Sequence, residues 1–388
     1  MAGSCFFKHG LKEPMMSFDL ICTQCQQMHT DDPPTLCDCG HPLEVQYHWK
    51  RSLSRDTIDE SDLSMWRYRN FLPPGEPEHI TSLGEGWTPL TTPETYNGVR
   101  YCLKNETMNP TGSFKDRGMS MAISMLRQSG VKAICVPSAG NAGVAAAAYS
   151  HAGNIDAHVY LSKVIPFTFV RDTKKYGARI YFNGNTIADA ATKMKQEMKE
   201  TWFDLSTLKE PFRVEGKKTL GYELAEQLGW TLPDVIIYPT GGGTGLIGMW
   251  KAFQEMRFLG WIGGPLPRMV AVQSDGCAPV VSAFKENAEK TEFWENSITK
   301  ALGLNVPGPL GGSWILDVLY KSNGMAISVA EDQLSDLTEE FNSLTNINAS
   351  SEAGVVWGAY NTLLDMNWIN HNEKVVLFAT GVERCKFK

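Results

Sequence analysis

Residues 132–151 read KAICVPSAGNAGVAAAAYSH. Lys132–Pro137 is a short apolar run and predicts a buried strand. Asn141–His151 is rich in alanine and predicts a helix. Between them, SAGNAG (138–143) is a loop of small residues that delivers the chain from a strand end into a helix N-terminus. Strand, tight loop, helix is the repeating unit of α/β layers around a parallel sheet.

The unit recurs on both sides of this stretch. Ala157–Leu161 and Arg179–Phe182 predict strands, and Phe167–Tyr176 and Ile187–Lys199 predict amphipathic helices. Asp234–Tyr238 (DVIIY), Met269–Gln273 (MVAVQ) and Lys374–Ala379 (KVVLFA) are apolar runs of buried parallel-strand character. Leu304–Gly312 (LNVPGPLGG) reads as a long loop near a binding face. At 388 residues the chain has room for two or three domains. The predicted class is α/β, with two open, mostly parallel twisted-sheet domains carrying helices on both faces.

Two further loops carry chemistry. Gly241–Gly245 (GGGTG) follows the DVIIYPT strand and precedes the predicted helix Leu246–Phe258. Such a run forms a nest of N–H groups for a phosphate. It also holds Gly243-x-Gly245-x-x-Gly248, the dinucleotide spacing. A P-loop is excluded, because no Gly-Lys-Ser/Thr follows. Asn109–Gly118 (NPTGSFKDRG) places Lys115 where a turn runs into a helix. Lys115 is either an exposed first-turn lysine or, facing a closed site, an amine that forms an imine with an aldehyde. SAGNAG is either an ordinary turn or a site in which Asn141 donates to an oxygen. Taken together, an imine-forming lysine, an amide donor and a phosphate cradle suit pyridoxal phosphate, whose aldehyde, hydroxyl and phosphate need those partners.

The first 50 residues differ in kind. Cys22-x2-Cys25 and Cys37-x-Cys39 hold four of the nine cysteines, among His29, His41 and His48. Four thiolates suit a structural zinc with no open coordination position. The alternative is a ribbon that folds by packing alone, since the second pair is one residue short of CxxC. An odd cysteine count in a long chain argues against a disulfide framework and for a reducing compartment. Met1–Gly10 has no apolar signal core, no run approaches a membrane helix, and the formal charge is −7. The expectations are a cytoplasmic protein that engages neither nucleic acid nor membrane.

NPTGSFKDRG resembles the lysine motif of threonine synthases, within the fold-type II pyridoxal-phosphate enzymes related to the tryptophan synthase β-subunit. MWRYRNFLP (65–73), LGEGWTPL (83–90), PSAGNAG, RVEGKKT (213–219), PTGGGTG, PRMVAVQSDGCAP (267–279) and ALGLNVP (301–307) follow in family order, and the cysteine ribbon recurs in many members. The resemblance implies an N-terminal ribbon (1–60), a large cofactor-binding domain (61–119 with 205–388) and a small α/β domain (120–204). It implies that Lys115 forms the imine with Phe114 beside the ring. Asn141 would donate to the ring 3-oxygen, Gly241, Gly242, Gly243, Thr244 and Gly245 hold the phosphate, and Thr380 face the ring nitrogen. Ser138 and the amides of Ala139 to Ala142 would grip a substrate carboxylate. A homodimer is common in the family.

The reaction so implied is a β,γ-replacement that turns O-phospho-L-homoserine and water into L-threonine and phosphate. The alternative is another β-elimination or β-replacement on a small amino acid, and two departures from the family pattern bear on that choice. Before RxEGxKT the family carries Asn-Ser, where this chain has Ser206–Pro211 (STLKEP). The family's Thr-Gly-His-Gly-Leu-Lys is here Thr380-Gly381-Val382-Glu383-Arg384-Cys385-Lys386. Glu383 would oppose an anionic leaving group if it points inward, Arg384 and Lys386 either compensate for it or form a solvated tail, and Arg213 remains a clamp for phosphate or carboxylate. A nicotinamide oxidoreductase rests only on the Gly243–Gly248 spacing, and its acidic partner is misplaced. A nucleic-acid-binding ribbon is opposed by the charge.

Overall fold

The structure is a computed structural model that describes residues 16–49, 53–73 and 75–384. It begins with an antiparallel ribbon of β1 (Met16–Cys22), β2 (Met28–His29) and β3 (Leu43–Trp49), in the order β2-β1-β3. A hairpin of β4 (Glu94–Tyr96) and β5 (Val99–Asn105) follows. The alternation then runs through α1 (Lys115–Gln128), β6 (Ala133–Ser138), α2 (Asn141–Ala152), β7 (Asp156–Leu161), α3 (Phe167–Lys175), β8 (Arg179–Phe182), α4 (Ile187–Glu197) and β9 (Phe203–Asp204). It continues with α5 (Phe212–Gln227), β10 (Val235–Pro239), α6 (Thr244–Phe258), β11 (Arg268–Ser274), α7 (Pro279–Lys285), α8 (Gly312–Lys321), β12 (Met325–Val329), α9 (Leu334–Thr345), α10 (Ser351–Asp365) and β13 (Lys374–Ala379).

Two sheets result, as the sequence predicted. One has the order β8-β7-β6-β9 and is parallel throughout. The other has the order β12-β11-β10-β13-β5-β4 and is parallel except at its edge hairpin. Parallel strands covered on both faces must be apolar on both faces, and every residue of β10 is buried. The same logic explains α2. Ala145 to Ala148 are buried all round the helix, and their short side chains let α2 lie against both β6 and β7.

Helices α5 and α6 are buried along most of their length, so their glycines serve close approach. A Cβ on Gly248 would lie 2.8 Å from Lys218 N and 3.0 Å from Val214 O. The third glycine of the dinucleotide spacing is therefore explained by helix packing. Gln273, near where that spacing wants an acid, donates to Thr240 O at 3.1 Å and accepts from Val280 N at 2.9 Å. The nicotinamide alternative loses its support.

Buried charge holds the NPTGSFKDRG loop. Arg117 is fully buried and pairs with Glu106 at 2.7 Å and with Glu223 of α5 at 2.7 Å. Lys104 reaches the same Glu223 at 2.5 Å. Asn109 donates to Glu106 Oε2 at 2.8 Å, and the Thr111 amide donates to Asp116 Oδ2 at 2.6 Å. A Cβ on Gly216 would sit 2.1 Å from Arg117 O, so α5 crosses the start of α1 backbone to backbone. Removing one member of such a buried network leaves an uncompensated charge, at a cost of about 3–5 kcal/mol. The lysine loop is thereby pinned to α5.

Candidate active site

Strands β6, β10 and β13 end at Ser138, Pro239 and Ala379, and a cavity of about 450 Å³ opens beyond these ends. Carboxyl ends of parallel strands are where α/β sheets bind ligands, because loops and helix N-termini converge there. The cavity is lined by Phe114 and Lys115, by Ser138 to Ala142, by Gly241 to Gly245 and by Thr380. Three loops that are far apart in sequence thus face one space.

Two strand-like contacts bring Lys115 beside Thr380. The Phe114 amide donates to Thr380 O at 3.0 Å, and the Val382 amide donates to Gly112 O at 2.8 Å. Lys115 is half-buried, with Nζ 4.3 Å from the centre of the Phe114 ring. Loss of solvent, reinforced by the Arg213 guanidinium, pushes its pKa down to about 8, and the Glu352 carboxylate pulls the other way. A lysine in this state offers far more neutral amine near pH 7 than an exposed one.

The glycine loop is shaped by close packing on the cavity. Gly243 has φ +76°, and a Cβ there would meet Ile315 at 2.3 Å. A Cβ on Gly241 would meet Gly303 O at 2.6 Å, and one on Gly245 would meet the Tyr238 hydroxyl at 2.1 Å. Among the described residues, the amides of Gly241 to Gly245 have no protein acceptor. Free N–H groups at the first turn of α6 favour an anion, and a phosphate fits this donor set. Asn141 lines the same space, with Oδ1 accepting from Arg384 Nε at 3.2 Å. Its amide nitrogen stays available as a donor.

The remaining predicted residues fall into two groups. Ala139 and Ala142 line the cavity, as does Ser138. The Ser138 hydroxyl, however, is committed to the turn, accepting from Gly140 N at 3.1 Å and Gly143 N at 2.8 Å. Arg213 is set back. It is buried on α5, it is not among the lining residues, and its Nε donates to Glu210 Oε1 at 2.8 Å. In the altered segment Ser206, Thr207 and Lys209 line the cavity, with Lys209 paired to Asp204. Arg384 is no free tail: it contacts Asp172, Thr111 O and Asn141. Lys386 lies outside the described residues.

Sequence reasoning missed Glu352, which accepts from Gly303 N at 2.6 Å and faces the same cavity. Its signal was a carboxylate in the first turn of α10, a common and unspecific pattern. It also missed Lys217 of the RVEGKKT stretch, which donates to Thr244 Oγ1 at 2.6 Å.

Cys22, Cys25, Cys37 and Cys39 converge away from this cavity, with all four sulfurs within 4.8 Å of one another. Closest approaches are 3.4 Å for Cys22–Cys39, 3.5 Å for Cys25–Cys37 and 3.7 Å for Cys25–Cys39. Tetrahedral zinc with ~2.3 Å bonds to sulfur requires sulfur separations of roughly 3.8 Å. The donor set fits that ion after small adjustments. Strand β3 docks the ribbon on α5 and α6: the Tyr47 hydroxyl donates to Glu215 and Lys251 donates to Val45 O. No helix among the described residues is long and apolar enough to cross a membrane.

Comparison with known proteins agrees with this geometry. A family model described as pyridoxal-phosphate dependent enzyme matches residues 81–381. The chain is 32% identical over 374 residues to a threonine synthase of Methanocaldococcus jannaschii, covering 93% of this chain and 91% of that protein. It is 29% identical to a threonine synthase of Methanosarcina acetivorans, covering 94% and 91% respectively. Among solved structures, maize serine racemase superposes with a TM-score of 0.67 at 20% identity, over 77% of this chain and 89% of that one. That likeness is one of fold.

Proposed function

We propose, from the premise that this chain belongs to the family of pyridoxal-phosphate-dependent enzymes, that it is a lyase that converts O-phospho-L-homoserine and water into L-threonine and phosphate. The observation that carries the reading is the convergence of Lys115, Asn141, the 241–245 loop and Thr380 on one cavity, in a chain similar to threonine synthases over nearly its whole length.

Lys115 would hold the cofactor through its aldehyde, Asn141 through the ring oxygen and Gly241 to Gly245 through the phosphate. Thr380 would face the ring nitrogen. When bound, the cofactor supplies an electron sink for the charge left at the substrate Cα. The chain's own residues do the rest. The amides at the start of α2, beside Ala139 and Ala142, orient the substrate carboxylate. Lys115, with its depressed pKa, takes the α-proton, then moves a proton at Cβ, and later returns one. A hydroxyl at Thr380 in place of a carboxylate would not hold the ring nitrogen protonated, which would favour elimination and replacement over transamination. The proposed working units are the ribbon (1–60), the large domain (61–119 with 205–388) and the small domain (120–204), in a cytoplasmic homodimer.

The cysteine cluster is proposed to hold one structural zinc, because four sulfurs close the coordination shell.

A second reading, β-elimination on a small amino acid, is favoured by one observation. Lys209, inside the altered segment, is committed to Asp204, and the Nε of the nearby Arg213 is committed to Glu210, which leaves only its buried Nη2 without a partner for a leaving-group phosphate. One experiment separates the readings. Protein reconstituted with pyridoxal phosphate is reduced with borohydride to label Lys115, and unreduced enzyme is given O-phospho-L-homoserine. Threonine and phosphate in equal amounts support the synthase. Phosphate with a keto acid and no threonine overturns it in favour of elimination.

A further inference from the structure

Buried cations in this protein come with carboxylates. Lys104 and Arg117 share Glu223, Lys218 has Glu215 at 2.9 Å and Glu255 at 3.1 Å, and Lys251 has Glu215 at 2.6 Å. Arg213 has Glu210 at 2.8 Å, and Arg67 has Glu226 at 2.5 Å. Lys217 breaks the pattern. It is 2% exposed, yet among the described residues it has no ion-pair partner. Its hydrogen-bond partner is Thr244 Oγ1, at 2.6 Å. An unpaired buried ammonium is costly unless an anion arrives to meet it.

We propose that Lys217 is the counter-charge for an anionic phosphate seated on the Gly241–Gly245 loop, acting through Thr244 as a positioning residue. This inference rests on the cofactor reading above, and it gives that reading a residue which the family pattern does not assign, because RxEGxKT leaves this position open.

The argument is one of donors and protons. A threonine hydroxyl has one proton and two lone pairs. As an ammonium Lys217 occupies a lone pair and cannot accept, so the Thr244 proton is then given to another acceptor. Thr244 lines the cavity at the first residue of α6, beside loop amides that also lack acceptors. The Thr244 hydroxyl and the loop amides are then all donors, which is the complement of a phosphate. The GGGTG loop contains no cation of its own, and Lys217 supplies one from behind it.

The lysine is also housed for this position. A Cβ on Gly118 would lie 2.9 Å from Lys217 Cε, so the glycine keeps a slot open for the lysine stem. Its Nζ is 5.0 Å from the centre of the Phe114 ring, the ring that Lys115 also faces. Burial, Lys115 and Arg213 push the Lys217 pKa well down, against the weaker pull of Glu210. A phosphate dianion reverses that balance, so phosphate binding should be accompanied by proton uptake.

The test compares pyridoxal phosphate with pyridoxal, the same ring without its phosphate, as ligands of apo-protein. Wild type, Lys217→Met and Lys217→Gln are titrated with each, following absorbance. The expected result is a tenfold or greater loss of pyridoxal phosphate affinity in Lys217→Met, with pyridoxal affinity changed less than twofold. Lys217→Gln keeps a donor without the charge and should fall between. An unchanged ratio of the two affinities in both variants overturns the proposal, and so does an equal loss for both ligands. If Lys217→Met does not fold, the Lys217→Gln ratio decides alone.

Inorganic phosphate separates this inference from the cofactor reading. Phosphate should raise the Tm of wild-type apo-protein clearly more than that of Lys217→Gln, and that of Lys217→Met least. That outcome in a wild type that captures no pyridoxal phosphate sinks the cofactor reading and keeps the anion site. Capture by wild type with no difference between the variants does the reverse.

Discussion

Arg384 Nε donates to Asn141 Oδ1 at 3.2 Å, across 243 positions of sequence. The same guanidinium contacts Asp172 of α3 and the carbonyl of Thr111 in the lysine loop. One side chain after β13 thus ties α2, α3 and the lysine loop together, and it sets which end of the Asn141 amide faces the cavity. With Oδ1 occupied, Nδ2 is the end left to donate.

Arg384→Met should therefore weaken cofactor affinity several-fold without abolishing capture by Lys115. Asn141→Ala should weaken it comparably, and the double variant should add little. A coupling of roughly 0.5–3 kcal/mol is expected for residues acting as one unit. Cofactor titrations of the four proteins measure it, and strict additivity would contradict the relationship.

Lys115 sets a pH dependence. Its pKa is pushed down to about 8, and the neutral amine is the nucleophile. The rate of cofactor capture by apo-protein should rise with pH and reach half its plateau near pH 8. An unperturbed lysine would place the midpoint at about 10.4. Stopped-flow absorbance across pH 6.5–10 reads the midpoint directly, and Lys115→Ala should show no capture.

Gly243→Ala tests the cradle. The position combines φ +76° with a Cβ site 2.3 Å from Ile315. Strain and overpacking together should cost about 1–3 kcal/mol of stability and displace the loop amides. Cofactor affinity should fall at least tenfold. Gly229→Ala is the control, since it also has positive φ (+68°) but nothing within 4 Å of its Cβ. It should lose some stability and keep the affinity.

The cysteine ribbon should carry about one zinc per chain by elemental analysis. Cys25→Ser or a strong chelator should lower Tm by several degrees, because metal binding contributes to folding. Capture of the cofactor at 20 °C should persist, since no ribbon cysteine lines the cavity. A protein purified without metal, with unchanged Tm after chelation, would remove zinc from the account.

What the sequence determined by itself was local. Apolar runs such as VIIYP need two covered faces, so parallel strands and the α/β class were legible from periodicity alone. Loops of small residues at strand ends announced themselves in SAGNAG and GGGTG, because backbone approach to a ligand demands such residues. The place of Lys115, where a turn runs into a helix, was legible from the NPTGSFKDRG stretch. The GxGxxG spacing misled, because Gly248 answers to the crossing of α6 over α5, a contact no local pattern encodes.

Only the tertiary structure decided the pairing of charges. RVEGKKT offers three cations in a row of seven residues, and nothing local says that Arg213 goes to Glu210, Lys218 to Glu215 and Glu255, and Lys217 to no carboxylate. Helical spacing sends neighbouring side chains in different directions, and what each meets depends on elements distant in sequence. Partner choice in a dry interior is a long-range electrostatic result, and it separates the cations held by protein carboxylates from Lys217, which among the described residues donates to Thr244 of the glycine loop.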